Sequence, residues 1–279
     1  MFKGLYTVTS GMLAQQRKTE ILTNNMANAN TPGFKADQST IRSFPDMLMS
    51  AVTSNGIPTE KGLNLLQAKQ VGALSTGVYL QETLANYAQG SLTQTDLSTD
   101  VALVDGTMPV DAASGNTGAV FYRLRHADGN EAYTRNGSFT LDGAGNLVTG
   151  TGQYVLDDRG QTIQLQSDKF SVSTEGYIVD ENGAQVARLG VSFAANTDVL
   201  MKQDNGIYRM LDGEALPSAY DVDGVTFGLQ QGYLEASNVD ASKSMTELLT
   251  AYRAFEANQK VLQAYDKSMD KAVNELGKV

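Results

Sequence analysis

The sequence predicts a mainly β central body, antiparallel and rich in hairpins, with a long α-helix at each end of the chain. Each end carries apolar residues at alternating spacings of three and four, the heptad pattern of a helix with one apolar seam. Between the ends, residues 101–233 hold 18 of the 27 glycines, and short β-type runs there alternate with turn sequences. We expect the two helices to form a coiled-coil-like assembly region.

Composition limits the class of protein. The 279 residues are enough for one large domain or two ordinary ones, and a hydrophobic content of 41% is enough for a buried core. A net charge of −10 argues against a nucleic-acid partner. Residues 237–279 balance six acidic against six basic side chains, so the negative charge belongs to residues 36–236, most simply as a solvated surface. The absence of cysteine excludes disulfides and thiolate metal sites.

The first segment, residues 1–35, is predicted to hold a helix over 4–29. Six of its eight seam positions are apolar; the series is Leu5, Val8, Met12, Gln15, Thr19, Leu22, Met26 and Ala29. The helix should stop at Asn30, because Thr31 precedes a proline and is driven toward extended geometry. Pro32-Gly33 then suits the centre of a type II turn.

Residues 36–100 are predicted to be a connecting segment. Its glycines interrupt any long periodic pattern. Short helical pieces are expected at 44–52 and 79–88.

The β body is predicted over residues 101–236. Its β-type runs are 119–125, 131–135, 138–141, 153–156, 162–165, 177–179, 185–193 and 206–211. The turn dipeptides between them are Asn136-Gly137, Asp142-Gly143, Asn182-Gly183, Asn205-Gly206, Asp212-Gly213 and Asp223-Gly224. Such dipeptides favour hairpin turns, because both central residues reach positive φ at low cost.

The last segment, residues 237–279, is predicted to be one helix beginning between Asp240 and Ser244. Ser244 and Glu247 have the spacing of a capping box. Eight of its ten seam positions are apolar; the series is Met245, Leu248, Tyr252, Phe255, Gln259, Leu262, Asp266, Met269, Val273 and Leu276.

The apolar side chains of the two seams are the predicted assembly interface. They are Leu5, Val8, Met12, Leu22, Met26, Met245, Leu248, Tyr252, Phe255, Leu262, Met269, Val273 and Leu276. Because a lone helix leaves such a seam in water, we expect the ends to be loose in the monomer and ordered by neighbouring copies. The alternative is that each stripe is the buried face of an ordinary core helix.

No residue emerges as a catalytic, cofactor-binding or metal-binding candidate. The single histidine, His126, lies at the end of a predicted strand without a nucleophile near it in sequence, which favours an ordinary strand-end residue. The stretch from Asp142 resembles a calcium loop only superficially, because Leu147 and Gln153 replace the glycine and the glutamate that such a loop requires.

Four separated blocks resemble the bacterial flagellar rod and hook proteins. They are Gly4-Leu5-Tyr6 with Ser10-Gly11-Met12 and the stretch from Asn24 to Lys35; Tyr133 to Phe139 with Leu141-Asp142 and Gly145 to Val148; Gln231 to Val239; and Arg253 to Gln259. The family motif in the first block consists of Asn25, Asn28, Asn30, Thr31, Pro32, Gly33 and Phe34. One segment departs from the family: a Gly-x-Gly-Phe-Phe stretch usually opens the β body, whereas Val104 to Val110 contain no aromatic pair.

The resemblance implies a structural subunit of the flagellar basal-body rod, not an enzyme. Its terminal helices would build the inner tube of a helical polymer with itself and with other rod and hook proteins, and the polymer would transmit torque. The resemblance also implies that it leaves the cytoplasm through the flagellar type III export apparatus, which agrees with the lack of an apolar signal-peptide core in residues 1–35. No cofactor or small-molecule substrate is implied.

Two alternatives stay open at this point. One is a hook or hook-associated axial protein. The other is a secreted β-rich protein that binds or hydrolyses cell-wall glycan, for which carboxylates alone could serve as catalysts.

Overall fold

The computed structural model describes residues 2–57, 63–111, 115–126 and 128–276. The chain forms two compact units. The helical unit comprises 1–24, 37–84 and 242–279, and the body unit comprises 25–36 and 85–241. The chain therefore passes between the units at four points. The four segments predicted from the sequence stay a prediction.

The helical unit contains two long helices and two pairs of antiparallel strands. Helix α1 (Phe2–Ala27) and helix α2 (Ala241–Lys271) lie near the ends of the chain, and a π-helical turn (Ala272–Leu276) follows α2. The four strands are β1 (Asp37–Ser43), β2 (Met47–Ile57), β3 (Leu63–Leu74) and β4 (Val78–Ala85). Strand β1 pairs with β4, and β2 pairs with β3.

The short helices predicted at 44–52 and 79–88 are wrong, because both stretches are strands. Residues from Met47 pair antiparallel with β3 over the full length of β2, from Met47 opposite Leu74 to Ile57 opposite Leu63. The leucine, methionine and alanine content of these stretches favours a helix. Cross-strand pairing overrides that preference, as it does wherever a strand finds a partner.

The boundaries of both terminal helices were predicted to within a few residues, but the capping box was not found. Helix α2 begins at Ala241, so Ser244 lies inside its first turn, where its side chain is buried. A serine at that depth is past the N-cap position, so the pairing of Ser244 with Glu247 as a capping box is wrong.

The body unit contains fifteen short strands within the described residues. They are β5 (Leu92–Gln94), β6 (Val101–Asp105), β7 (Ala119–Arg125), β8 (Glu131–Thr134), β9 (Phe139–Leu141), β10 (Leu147–Thr149), β11 (Tyr154–Val155), β12 (Ser171–Val172), β13 (Tyr177–Val179), β14 (Gln185–Arg188), β15 (Val191–Ala194), β16 (Leu200–Lys202), β17 (Ile207–Met210), β18 (Phe227–Gln231) and β19 (Tyr233–Glu235). Two 3₁₀ turns lie at Thr197–Val199 and Asp204–Gly206. The predicted antiparallel β body is confirmed.

An eight-stranded sheet organises the body around β7. Its order is β16-β17-β8-β7-β11-β10-β9, and β15 also pairs with β7. Strand β7 is buried on both faces from Val120 to Tyr122, which explains why its sequence is almost continuously apolar. Strands β12, β13 and β14 form a second sheet, while β18 pairs with β6 and β19 with β5.

Two of the predicted β-type runs have the same bounds as observed strands, and others differ from them. The run 119–125 is β7, and 177–179 is β13, both with the predicted bounds. The run 185–193 is divided into β14 and β15 because the backbone of Gly190 lies against Leu156 and Asp157. The run 162–165 forms only isolated bridges, at Thr162 and Gln164.

Three hairpin turns of the body share one five-residue form, called here the aspartate turn; they cover residues 142–146, 157–161 and 180–184. In each, Oδ1 of the first residue accepts hydrogen bonds from the backbone N–H of the third and fifth residues, at 2.6–2.9 Å. The fourth residue is a glycine with φ of +84°, +78° and +81°. This is the type I turn followed by a left-handed bulge residue, so the fourth position requires glycine.

The prediction of hairpin turns centred on Asn-Gly and Asp-Gly dipeptides is therefore only partly confirmed. Asn205 and Gly206 both have positive φ and lie in the hairpin loop between β16 and β17, but that loop has three residues, 204–206. The Gln203 N–H closes it by donating to the Ile207 carbonyl at 2.7 Å. In the turn that follows Asp142, however, the left-handed residue is Gly145 and not Gly143. Asn136-Gly137 is not a hairpin turn, since β8 and β9 do not pair. The Gly137 carbonyl instead accepts a hydrogen bond from the Val101 N–H at 3.0 Å.

Candidate functional site

Helices α1 and α2 pack antiparallel within the helical unit. Gly4 lies against the Tyr265 ring, and a Cβ on Gly11 would lie 3.2 Å from Asn258 Nδ2. One heptad further along α1, Lys18 forms an ion pair of 3.7 Å with Glu247. As the residue numbers in α1 rise, the numbers of their partners in α2 fall, so the two helices are antiparallel. The two glycines allow close approach at that face, since neither carries a side chain.

The predicted seam of α1 is turned away from water along its whole length. Leu22 is buried, and Leu5, Val8, Met12 and Met26 are half-buried. The polar positions of this seam are half-buried as well, and the Thr19 hydroxyl donates to the Gln15 carbonyl of its own helix at 2.9 Å. Thr19 is thereby satisfied locally, and this bond does not select a partner.

The predicted seam of α2 is divided between two faces. Leu248, Phe255, Leu262 and Met269 are half-buried. The alternate positions are exposed: Met245 by 44%, Tyr252 by 52% and Val273 by 71%, with Gln259 and Asp266 exposed between them. The Leu276 side chain lies outside the described residues.

The inward face of α2 includes residues that the heptad pattern missed. Ala251 is fully buried, and Asn258 and Tyr265 are half-buried, each four residues before the next inward seam residue. Ala251 is small and Asn258 is polar, so neither marks an apolar seam, and Tyr265 lies outside the series of three and four spacings. The exposed apolar residues Met245, Leu249 and Tyr252 form what we call the outer stripe of α2.

The family motif forms a closed turn where the body unit begins. The Phe34 N–H donates to the Thr31 carbonyl at 3.3 Å, and Gly33 has a φ of +69°. Proline and glycine at the two central positions with this geometry make the predicted type II turn. Asn25, Gly33 and Phe34 are buried, Asn28, Thr31 and Pro32 are half-buried, and Asn30 is exposed.

Gly33 brings this turn into direct contact with the β body. A Cβ at Gly33 would lie 2.5 Å from the Asn136 nitrogen and 2.6 Å from the Arg135 carbonyl carbon. The Gly33 N–H also donates to the Glu235 carbonyl at 2.8 Å. The motif glycine thus lies between a loop of the body and the segment that enters the last helix.

Four charged residues form a buried network at this point. Glu235 accepts from Lys35 Nζ at 2.7 Å through Oε1 and from Arg135 Nε at 2.5 Å through Oε2. Arg135 also donates to Asp105 Oδ1 at 2.7 Å and to the Val120 carbonyl at 2.8 Å. The side chains of Lys35, Arg135 and Glu235 are at most 2% exposed, and that of Asp105 is 20% exposed. Two cations and two carboxylates balance in charge, which is what burial of ions demands.

The network sets the ionisation of its members. Burial opposes the charge on Glu235, but Arg135 and Lys35 overcome it and hold the pKa of Glu235 below its ordinary value of 4.5. Burial and the neighbouring Arg135 lower the pKa of Lys35, against the opposite effect of Glu235. Glu235 Oε1 also accepts from the Gly90 N–H at 2.8 Å, so the carboxylate accepts three hydrogen bonds, two of them from cations.

Asn238, three residues after Glu235, joins the same junction. Its Oδ1 accepts from the Ala36 N–H at 2.7 Å, while its Nδ2 donates to the carbonyls of Asn86 and Ala88 at 2.7 and 2.9 Å. The segments around 36, 86 and 238 are those at which the chain leaves or enters the body. One amide therefore holds three chain passages together.

Three members of this network lie in the sequence blocks that resemble the family. Lys35 ends the first family block, Arg135 lies in the second and Glu235 lies in the third. Their charges were available, but nothing in a single sequence says that three distant blocks meet. Asp105, in the segment that departs from the family, could not be found by resemblance.

The other polar candidates do not form a reactive site. His126 Nδ1 pairs with Asp128 at 3.1 Å at the end of β7, as expected of a strand-end residue. Among the described residues, no three histidine or acidic side chains cluster so as to hold a metal. Across that same part of the chain, no helix is both long and apolar enough to span a membrane.

Comparison with known proteins gives matches along the chain. Family models match in three places: the flagella basal body rod protein at residues 5–35, the D1 domain of the flagellar hook protein FlgE/F/G at 117–179, and the C-terminal region of the flagellar basal body rod FlgEFG protein at 230–275. Lys35, Arg135 and Glu235 lie one in each match.

Relatives align over nearly the whole length. The flagellar hook-basal body complex protein FlhO of Bacillus subtilis (strain 168) is 44% identical over 279 residues, which is all of both chains. The flagellar basal-body rod protein FlgG of the same organism is 33% identical, over 98% of this chain and 99% of FlgG. FlgG of Borreliella burgdorferi is 30% identical over 98% of both chains.

These matches identify a structural protein of the bacterial flagellum and not an enzyme. Within that class, the chain belongs to the family of flagellar basal-body rod and hook-basal body proteins. The resemblance drawn from the sequence blocks is confirmed, and the cell-wall enzyme alternative is set aside.

Proposed function

We propose that this protein is a rod subunit that polymerises through its terminal helices and transmits torque through the resulting tube. The support from comparison is full-length similarity to proteins named for the rod and for the hook-basal body complex. As in the resemblance, the chain would reach its site through the flagellar type III export apparatus. Its partners would be further copies of itself and the neighbouring rod and hook proteins.

The outer stripe of α2 is the observation that carries this proposal. Pairing with α1 satisfies one face of α2 and leaves Met245, Leu249 and Tyr252 in water. When a neighbouring subunit covers exposed apolar surface, the free energy of the assembly falls by about 25 cal/mol for each Å² that is buried. Helix α1 offers matching exposed residues, Tyr6 and Leu13, one heptad apart. Each copy therefore presents apolar helical surface to the next.

Substitution on the outer stripe tests the proposal. Tyr252→Asp should prevent incorporation into basal bodies, because it places a charge where a neighbour would pack. Gln259→Asp is the matched control, since Gln259 is exposed on the same face one heptad later and is already polar. Incorporation is measured by immunoblotting of purified basal bodies, and folding of the β body by circular dichroism. Normal incorporation of a folded Tyr252→Asp protein would refute the assembly surface.

The half-buried seam gives a second variant with a different expectation. Leu262→Asp should separate α2 from α1 and so also abolish incorporation, while the β body stays folded.

Immunogold labelling and electron microscopy of basal bodies locate the wild-type protein relative to the cell wall. Labelling inside the envelope supports a rod subunit, and labelling only outside it supports the hook alternative.

A further inference from the structure

The charges of the buried network are distributed unevenly along the chain. Lys35, Asp105 and Arg135 all lie in its first half, whereas Glu235 follows Lys35 by 200 residues. Within the described residues, the one other carboxylate paired with these cations is Asp105, and it contacts Arg135 but not Lys35. A cation buried without a counter-ion costs several kcal/mol, so the cavity around Lys35 and Arg135 cannot close stably without Glu235.

The neighbours of Glu235 close the body in other places. Strand β18 pairs with β6 along its full length, and β19 pairs with β5. Between these strands, the Gln231 amide donates to the Ser98 carbonyl at 2.6 Å and to the Phe170 carbonyl at 2.8 Å. Residues 227–238 thus supply partners to strands, loops and ions that precede them in the chain. We call this segment the C-terminal latch.

We propose that the C-terminal latch controls closure of the body: the sheet around β7 becomes stable only when residues 227–238 have joined it. A chain that emerges from its N-terminus would then stay open, with Lys35 and Arg135 in water, until its last fifth is released. The proposal concerns folding of the body alone and does not depend on the role of the helices in assembly.

Hydrogen exchange in the full-length chain tests whether the latch acts at a distance. Glu235→Gln keeps the shape of the side chain but removes the charge. Amides of β7 should then exchange about a hundredfold faster, because loss of one partner leaves buried cations uncompensated. Glu131→Gln is the matched control, since it breaks the 2.6 Å pair with Arg123 in the same sheet. That pair lies nearer to water, so Glu131→Gln should speed amide exchange in β7 by less than about fivefold.

Trypsin gives a second readout in the same variants. The bond after Lys35 is protected because the side chain is buried and the Lys35 carbonyl accepts from Lys202 Nζ at 2.9 Å. Cleavage there should accelerate in Glu235→Gln and not in Glu131→Gln. If Glu235→Gln does not fold, Gln231→Ala replaces it, because that change weakens the latch without touching an ion.

Two results would overturn the latch. One is faster exchange confined to residues 227–238 with β7 unchanged, which would make the segment a local attachment. The other is pulse-labelled refolding of the wild-type chain in which β7 and β8 gain full protection in an earlier phase than β18 and β19. Simultaneous protection in refolding, together with loss of β7 protection in the latch variants, supports the proposal.

Discussion

Lys35 and Glu235 are separated by 200 positions in the chain, yet Nζ and Oε1 lie 2.7 Å apart with both side chains almost completely withdrawn from water. This pair fastens the segment that leaves the first helix to the segment that enters the last. The connection between the ends of the chain therefore includes an ion pair inside the β body.

Arg135 should tolerate no replacement, including lysine. Arg135→Lys keeps the charge but cannot reach Glu235, Asp105 and the Val120 carbonyl at once, since it lacks the planar fork. We expect the free energy of unfolding in urea to fall by about 3 kcal/mol. Arg125→Lys is the control: Arg125 is exposed, and its loss should cost at most about 0.5 kcal/mol. Equal urea midpoints of unfolding for Arg135→Lys and Arg125→Lys would contradict this role of the Arg135 guanidinium.

Glu235 should make stability sensitive to acid. Its folded pKa lies below the ordinary 4.5, so its contribution is complete above about pH 4.5 and is lost as the pH falls through the folded pKa. Glu235→Gln cannot titrate, so the gap in unfolding free energy between wild type and variant should narrow over that range. Urea titrations at a series of pH values measure the gap. A gap that is constant from neutral pH to strong acid would show that Glu235 is not ionised in the fold.

Gly33 should be more sensitive to a methyl group than another glycine of the same conformation. Gly33 and Gly213 have φ of +69° and +71°, so alanine at either position costs about 1–2 kcal/mol in backbone strain. At Gly33 the new Cβ also meets the backbone of Arg135 and Asn136, whereas nothing lies within 4 Å at Gly213. Thermal unfolding should therefore show a clearly larger loss for Gly33→Ala. Equal losses would mean that the contact with the body is not tight.

The pairing of α1 with α2 can be trapped by a disulfide, since the chain contains no cysteine of its own. Gly11→Cys combined with Asn258→Cys should cross-link within one chain on mild oxidation, because the two positions face each other. Thr9→Cys with Asn258→Cys is the control, since Thr9 is exposed. Non-reducing electrophoresis of dilute protein distinguishes the outcomes. Cross-links that form only between chains would support the expectation that the ends become ordered by assembly alone.

The strands of the body are predictable from the sequence where burial dictates the residue types. Strand β7 is buried on both faces, so its apolar run from 119 to 125 gave its bounds directly. Prediction of secondary structure failed between 44 and 88. Strands β2 and β4 carry helix-forming residues there, and they are strands because a partner strand lies beside each of them. The prediction also failed at Asn136-Gly137, because the close approach of Gly137 to the Val101 carbonyl is a tertiary contact that resembles a turn signal.

The candidate site was predictable in its parts and not in its arrangement. The heptad spacing found Leu248, Phe255 and Leu262, because apolar residues carry the signal. It could not find Asn258, whose role comes from the missing side chain of Gly11 opposite it. In the same way, the turn at Pro32-Gly33 follows from local chemistry. The pairing of Glu235 with Lys35 and Arg135 follows only from the fold.

The aspartate turns allow surface residues of the body to vary without a change in its strands. All three keep an aspartate first and a glycine fourth, and the two residues between them differ: Gly143-Ala144, Asp158-Arg159 and Glu181-Asn182. The closing bonds run from the aspartate side chain to backbone N–H groups. Of those six positions, only Asn182 adds a side-chain bond to its turn, from Nδ2 to Asp180 Oδ2 at 3.4 Å. Substitutions at the other five positions can therefore alter the charge and shape of the surface one at a time while the strands beneath stay in register.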